Sequence, residues 1–202
     1  MIKTRWGYSV DQLGEILSNS EFEAMTGGRY SGDERIDSLT NAATEAVRDY
    51  CGWHLYPSTV CTLEARAHSL RLIYVGNDTI IQLPARYVAS VSQVTINGSE
   101  ITDYSVETNG LLRLYGCRPC SRKDAIVVTY TAGLPDEFAG AVKELIGHRV
   151  THGLAQSYGV QSEAAGGVSI TYSANWINSA RATALPDDNR EVLTPYRLQG
   201  VF

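Results

Sequence analysis

Apolar positions along the chain fall into three regimes: helical spacing up to residue 52, short alternating runs from about 58 to 131, and helical spacing again from Pro135. Ser9 with Gln12 makes a capping-box pattern ahead of Leu13, Ile16 and Leu17, which predicts a first helix near 9–18, interrupted by Gly14. Residues 18–32 have no clean period and read as a loop. Ser31 and Glu34 then form an S-x-x-E box, and Ile36, Leu39, Ala43, Val47 and Tyr50 recur at spacings of three and four until Gly52. This predicts a helix near 33–51 whose other face, with Asp37, Thr44, Glu45 and Arg48, is polar.

The middle of the chain predicts strands over 60–66, 70–75, 79–83, 88–96, 101–107, 111–115 and 125–131. Asn97-Gly98 and Asn109-Gly110 mark hairpins, because both central residues of such turns need positive φ. The connections are too short for parallel crossovers, so the expected arrangement is an antiparallel meander. Phe138, Ala141, Val142, Leu145, Ile146 and Val150 predict a third helix near 135–152, stopped by Gly153. Residues 155–167 read as a mobile small-residue loop and 168–172 as a brief alternating run. A last helix is predicted near 186–194, followed by Pro195, Tyr196 and an apolar end at Val201 and Phe202. The fold class expected from this order is α+β: a small helical bundle, its helices packed on each other, with an antiparallel β-meander inserted at about 58–131. As domains this gives 1–57 for the N-terminal bundle helices, 58–131 for the β insertion, 132–173 for the third helix and mobile loop, and 174–202 for a C-terminal docking segment.

Composition narrows the function classes. The 202 residues are 44% hydrophobic and 19% charged, an ordinary globular balance. A net charge of -5 disfavours a surface that grips phosphate backbones, yet fits a wall past which DNA slides. No run reaches the roughly 18 apolar residues of a membrane span, and no signal-peptide pattern opens the chain. The expected compartment is cytosolic and the four cysteines are expected to be reduced.

Candidate chemistry is sparse. Cys117 and Cys120 form one C-x-x-C, where a zinc site needs a second ligand pair, for instance from Cys51, Cys61 or His54. His148 and His152 share a helix face, but residue 149 is Arg where a metallohydrolase motif has Glu. Ser157 lacks the first glycine of a nucleophile elbow, and no phosphate-binding glycine loop is present. The acidic pairs Asp136-Glu137 and Asp187-Asp188 sit at helix starts, where the macrodipole favours them. These readings imply no catalytic residue, no metal and no cofactor. Twelve tyrosines favour surfaces that are apolar on one side and wet on the other, or half-buried strands.

Four stretches carry a family resemblance when taken in order: 46–53 (AVRDYCGW); Leu83-Pro84 with the runs around Asn97-Gly98, 103–106 and 109–113; 128–133 (VTYTAG) with Pro135; and 162–173 with Leu193, Pro195, Tyr196 and Arg197. Together they resemble the head-to-tail connector, or adaptor, proteins of long-tailed bacteriophages and related gene transfer particles. The resemblance implies a non-enzymatic virion protein in the neck, assembled in the host cytoplasm. Twelve copies, the number common in that family, would form a ring beneath the portal that extends the DNA channel, passes genomic DNA without specific binding, and receives a neck, stopper or tail protein. No membrane is involved in this reading. Expected portal-docking residues are Pro195, Tyr196, Arg197, Leu198, Val201 and Phe202, and expected ring-interface or bundle positions are Ile36, Leu39, Val47, Phe138, Val142 and Leu145. An alternative of another class is a ligand- or glycan-binding β module, which would present an exposed aromatic row on one sheet face.

Overall fold

The computed structural model describes residues 1–119, 121–155, 162–165, 168–171, 185 and 187–198. The chain divides into two compact units: residues 1–14, 51–139 and 195–202 form the first, and residues 15–50 and 140–194 the second.

The first unit is built of strands. β1 (Ile2–Lys3), β2 (Ser9–Val10), β3 (Thr59–Arg66), β6 (Val88–Ile96), β7 (Ser99–Glu100) and β10 (Ala125–Ala132) make a six-stranded sheet in the order β1-β2-β3-β10-β6-β7. β4 (Leu72–Val75), β5 (Asp78–Gln82), β8 (Tyr104–Glu107) and β9 (Leu111–Leu114) make a four-stranded sheet in the order β4-β5-β9-β8. Every pairing is antiparallel. The centre is β10, whose Ile126, Val128, Tyr130 and Ala132 alternate with half-exposed residues and are wholly buried, the period-two signature of a strand with one face in the core. Cys61, Leu63, Val94, Ile81, Leu83, Leu112 and Leu114 add to that core.

The turn chemistry holds in detail. Asn97 and Gly98, both at positive φ (51° and 80°), close the two-residue hairpin between β6 and β7. Asn109 and Gly110 (62° and 73°) lie in the three-residue connection of β8 to β9. Gly110 is required twice over, since a Cβ there would also stand 1.9 Å from the Ala85 carbonyl oxygen.

The second unit holds α1 (Asn19–Thr26), α2 (Ile36–Cys51) up to Tyr50, α3 (Asp136–Ala155) from Gly140 onward, the antiparallel pair β11 (Ser162–Ala165) and β12 (Val168–Thr171), and α4 (Asp187–Leu193). Its core includes Ile16, Leu17, Phe22, Ile36, Val47, Val142, Ile146 and Val150. Two glycines of α3 admit close neighbours. A Cβ at Gly147 would stand 2.9 Å from the Met25 methyl carbon, and one at Gly153 2.9 Å from a Leu39 methyl carbon.

These findings overturn the expected fold class. The described residues are mainly β-sheet, with antiparallel sheets of six and four strands and four short helices, and do not form a helical bundle carrying an inserted meander. The strands occur close to their predicted positions, but the chain passes back and forth between two sheets, so neighbours in sequence are often not neighbours in a sheet. The helix expected near 9–18 does not form: Ser9 and Val10 are strand residues paired with Thr62 and Cys61. The first helix instead starts after Ser18, inside the stretch read as a loop. Gly153 does not stop α3, which runs on to Ala155. Before α2, the Ser31 hydroxyl donates to Glu23 (3.0 Å), while the Asp33 carboxylate accepts the Arg35 amide (2.9 Å). The polar face expected on α2 is partly interior, because Thr44 and Arg48 are buried. The mobile loop expected over 155–167 lies, for residues 156–161 and 166–167, outside the described residues; 162–165 are strand.

Candidate functional site

The segment singled out for docking begins where α4 ends. A single 3-10 turn (Thr194–Tyr196) redirects the backbone, and residues up to Leu198 are fastened to the first unit by main-chain bonds. The Trp53 indole Nε1 donates to the Tyr196 carbonyl (2.8 Å). The Leu198 amide donates to the Cys51 carbonyl (2.9 Å), giving a partner to a carbonyl at the C-terminal end of α2 that has none within the helix. An Arg86 guanidinium N–H donates to the Arg197 carbonyl (3.1 Å). All three bonds use the backbone of the segment, so the side chains of Pro195 and Arg197 stay exposed and those of Tyr196 and Leu198 half-buried. Gln82, Arg86 and Asn109 join Arg197 and Leu198 around a small groove of about 140 Å³. Val201 and Phe202, the other two docking positions, lie outside the described residues.

Beneath this segment the aromatic residues form a continuous path. Trp6 stacks near Tyr8 (6.2 Å between centroids), Tyr8 meets His54 edge-on (5.8 Å), His54 meets Trp53 (5.5 Å), Trp53 stacks near Tyr87 (6.2 Å), and Tyr87 leans on Phe138 (6.0 Å). Trp6, Tyr8, Trp53 and His54 are buried, as is Tyr130 beside Tyr8, and only the far end of the path, at Tyr87 and Phe138, reaches the surface. His54 is fully used. Nε2 lies 2.9 Å from the Ala132 carbonyl and donates to it, and Nδ1 is hydrogen-bonded to the Tyr8 hydroxyl at 2.8 Å. The same hydroxyl accepts the His54 amide at 3.1 Å. The arrangement is a structural cross-tie between the residue that precedes β2 and the end of β10.

Neither buried cysteine is poised for chemistry. Burial pushes the thiols of Cys51 and Cys61 up to about 12, so they stay protonated near neutrality. Burial, then the neighbouring Tyr87 and Cys51, raises the Tyr196 phenol. Cys117 is half-exposed and Cys120 lies outside the described residues. His148 is exposed, 3.8 Å from Glu144. Among the described residues no three His, Cys, Asp or Glu side chains are grouped to hold a metal ion. An open cleft of about 600 Å³ in the first unit is lined by Trp6, Leu63, Arg66, Gln82 and Ile126 among others, and its one hydroxyl, Ser69, donates to the Arg66 carbonyl (2.8 Å).

The six ring-interface or bundle positions separate by burial. Ile36, Val47, Val142 and Leu145 are interior, Leu39 is half-buried against Gly153, and Phe138 is 39% exposed beside Tyr87. Reasoning from sequence missed Trp6, Tyr8 and Val10, whose alternation with polar or small residues is a strand signal.

The family model described as head completion protein matches residues 15–198, nearly the whole chain. The chain belongs to the head completion protein family. It is therefore a structural protein of a bacteriophage particle that serves at the head-to-tail junction, in keeping with the resemblance carried by its sequence. Among the described residues the match spans α1 to α4 and β3 to β12, and leaves out β1 and β2, which complete the six-stranded sheet. No curated protein matches the chain. No helix of the described residues is long and apolar enough to cross a membrane.

Proposed function

We propose that this protein acts as a head-to-tail adaptor: a ring of copies that binds beneath the portal of the filled head, extends the DNA channel and offers the attachment site for the next neck, stopper or tail component. The observation that carries this reading is the family match over residues 15–198. The work is geometric, since repeated copies of one heterologous contact close into a ring only when the rotation per subunit is right. Twelve copies is the number taken from the connector resemblance. Genomic DNA passes without specific binding, and the net charge of -5 keeps phosphates from adhering to the wall. The C-terminal end docks on the portal, with Pro195, Tyr196, Arg197 and Leu198 presented by the bonds to Trp53, Cys51 and Arg86, and with Val201 and Phe202 beyond them.

Complementation in vitro tests the proposal. DNA-filled heads made without this protein are expected to lose DNA and to refuse tails, and the purified chain should bind them at the portal vertex and restore tail joining. Binding to empty capsid faces or to isolated tails, with none at the vertex, would reject it.

A further inference from the structure

The proposed ring leaves open which surfaces meet between neighbouring copies, and the sheet edges of the first unit bear on that question. The six-stranded sheet ends on both sides in two-residue strands, β1 with its Lys3 and β7 with its Glu100, which are short, charged edges of the kind that resist further pairing. The four-stranded sheet is different. Its edges β4 and β8 have four residues each, and neither contains proline or lysine. β4 exposes Ile73, Tyr74 and Val75 in succession (42%, 45% and 46%), and β8 exposes Val106 (38%).

We propose that β4 of one copy pairs with β8 of a second copy, so that the four-stranded sheet continues from subunit to subunit; this rests on the ring reading above. Parity supports it. With four antiparallel strands the two edge strands run in opposite directions, so repeating the sheet head to tail sets β8 antiparallel to the next β4 without inverting either copy. Pleat supports it as well. Leu72, Ile81, Leu112 and Val106 lie in one row across the sheet, as do Tyr74, Thr79, Leu114 and Tyr104. Extending these rows places Val106 opposite the next copy's Leu72 and Tyr104 opposite its Tyr74, apolar on apolar, on the face that Ile81, Leu112 and Leu114 bury.

Charge follows the same register. Arg71 precedes β4 and comes opposite Glu107 at the end of β8, while Arg118, stacked over Tyr74 at 4.6 Å, comes to the end where Asp103 precedes β8. Each end of the joint thus meets a residue of opposite sign. A β4 to β4 contact would instead bring arginines together at both ends. The contact is heterologous, as a ring demands.

The experiment uses the full chain with Cys117→Ser and Cys120→Ser, and two single variants in that background, Ile73→Cys and Ser105→Cys, which the register places opposite each other with Cβ atoms about 5 Å apart. Mild oxidation should link the two only when they are mixed, and should give a ladder of covalent oligomers in the double variant. Ile73→Lys should weaken self-association about tenfold with an unchanged melting temperature, and adding Ser105→Glu should recover much of it. Efficient linking of Ile73→Cys to itself, or unaltered assembly of Ile73→Lys, overturns the pairing. Rings that assemble without the Ile73 to Ser105 bond overturn the pairing and leave the ring reading standing. No self-association, even with filled heads present, removes the ring reading and the pairing with it.

Discussion

His54, Tyr8 and Tyr130 show how one core treats polar atoms in two ways. His54 satisfies both ring nitrogens, and Tyr8 uses its hydroxyl twice, so truncating either removes bonds that buried atoms make. His54→Ala is expected to cost about 3 kcal/mol, from the loss of the imidazole bonds to the Ala132 carbonyl and the Tyr8 hydroxyl together with the lost packing, as read by urea denaturation. The Tyr130 hydroxyl, by contrast, is buried with no hydrogen-bond partner among the described residues, and burial drives its phenol further from ionisation. Tyr130→Phe is therefore expected to be neutral or to stabilise by up to about 1 kcal/mol, and a loss larger than that would reveal a partner for the hydroxyl. None of these roles is legible in sequence. The spacing of Trp6, Tyr8 and Val10 points to a strand, but that Tyr8 meets a histidine forty-six positions on depends on a sheet pairing that no local pattern encodes.

Among the elements, α1 illustrates how a correct rule is applied in the wrong place. The capping box exists at Ser18 and Glu21: the Glu21 amide donates to the Ser18 hydroxyl (3.3 Å), and the Glu21 carboxylate accepts the Ser18 amide (2.9 Å). The same S-x-x-E/Q pattern at Ser9 and Gln12 loses to strand pairing, because Val10 is buried in the sheet next to Cys61. Glu21 also receives Lys143 of α3 at 2.6 Å, and that bond, followed by the Ser18 amide, brings its carboxyl from the ordinary 4.5 down to about 2. The unfolded chain takes up this proton first as acid is added. The contribution is thus complete above 4.5 and lost as pH falls toward 2. Asp33, held at about 2 by Arg35, titrates in the same window. Glu21→Gln should flatten part of the acid limb of the stability curve between those values, measured by denaturant unfolding at a series of pH, and an unchanged limb would contradict the assignment. Ser18→Ala is expected to cost about 1 kcal/mol. The Asn-Gly hairpins were readable because their chemistry is local, whereas Gly153 looked like a helix stop and is instead a contact point for Leu39.

For the molecule as a whole, strand positions and the helices α2 and α3 follow from periodicity, but the architecture depends on which strands join. β10 lies between β3 and β6, and β2 joins β3 from the N-terminal segment, so the stretch over 58–131 is no insertion but the body of a unit that also takes in residues 1–14 and 195–202. The segment at Tyr196, Arg197 and Leu198 is likewise tied, the first two accepting bonds from Trp53 and Arg86 and the third donating to the Cys51 carbonyl. Removing residues 195–202 should shift Trp53 emission to longer wavelength and abolish binding to the portal vertex, with the cooperative unfolding of the remaining chain retained. An unshifted spectrum would place Trp53 elsewhere. The role at the head-to-tail junction comes from family membership, and the ring, its portal contact and its tail-side partner are proposals built on it.

Electron cryo-imaging of necks from particles carrying a tagged copy of this chain bears most directly on these proposals. A closed, rotationally symmetric ring of the protein between portal and tail, lining the DNA channel, is the predicted result. Tagged protein in the capsid shell or at the tail tip, with nothing of it beneath the portal, would contradict the account.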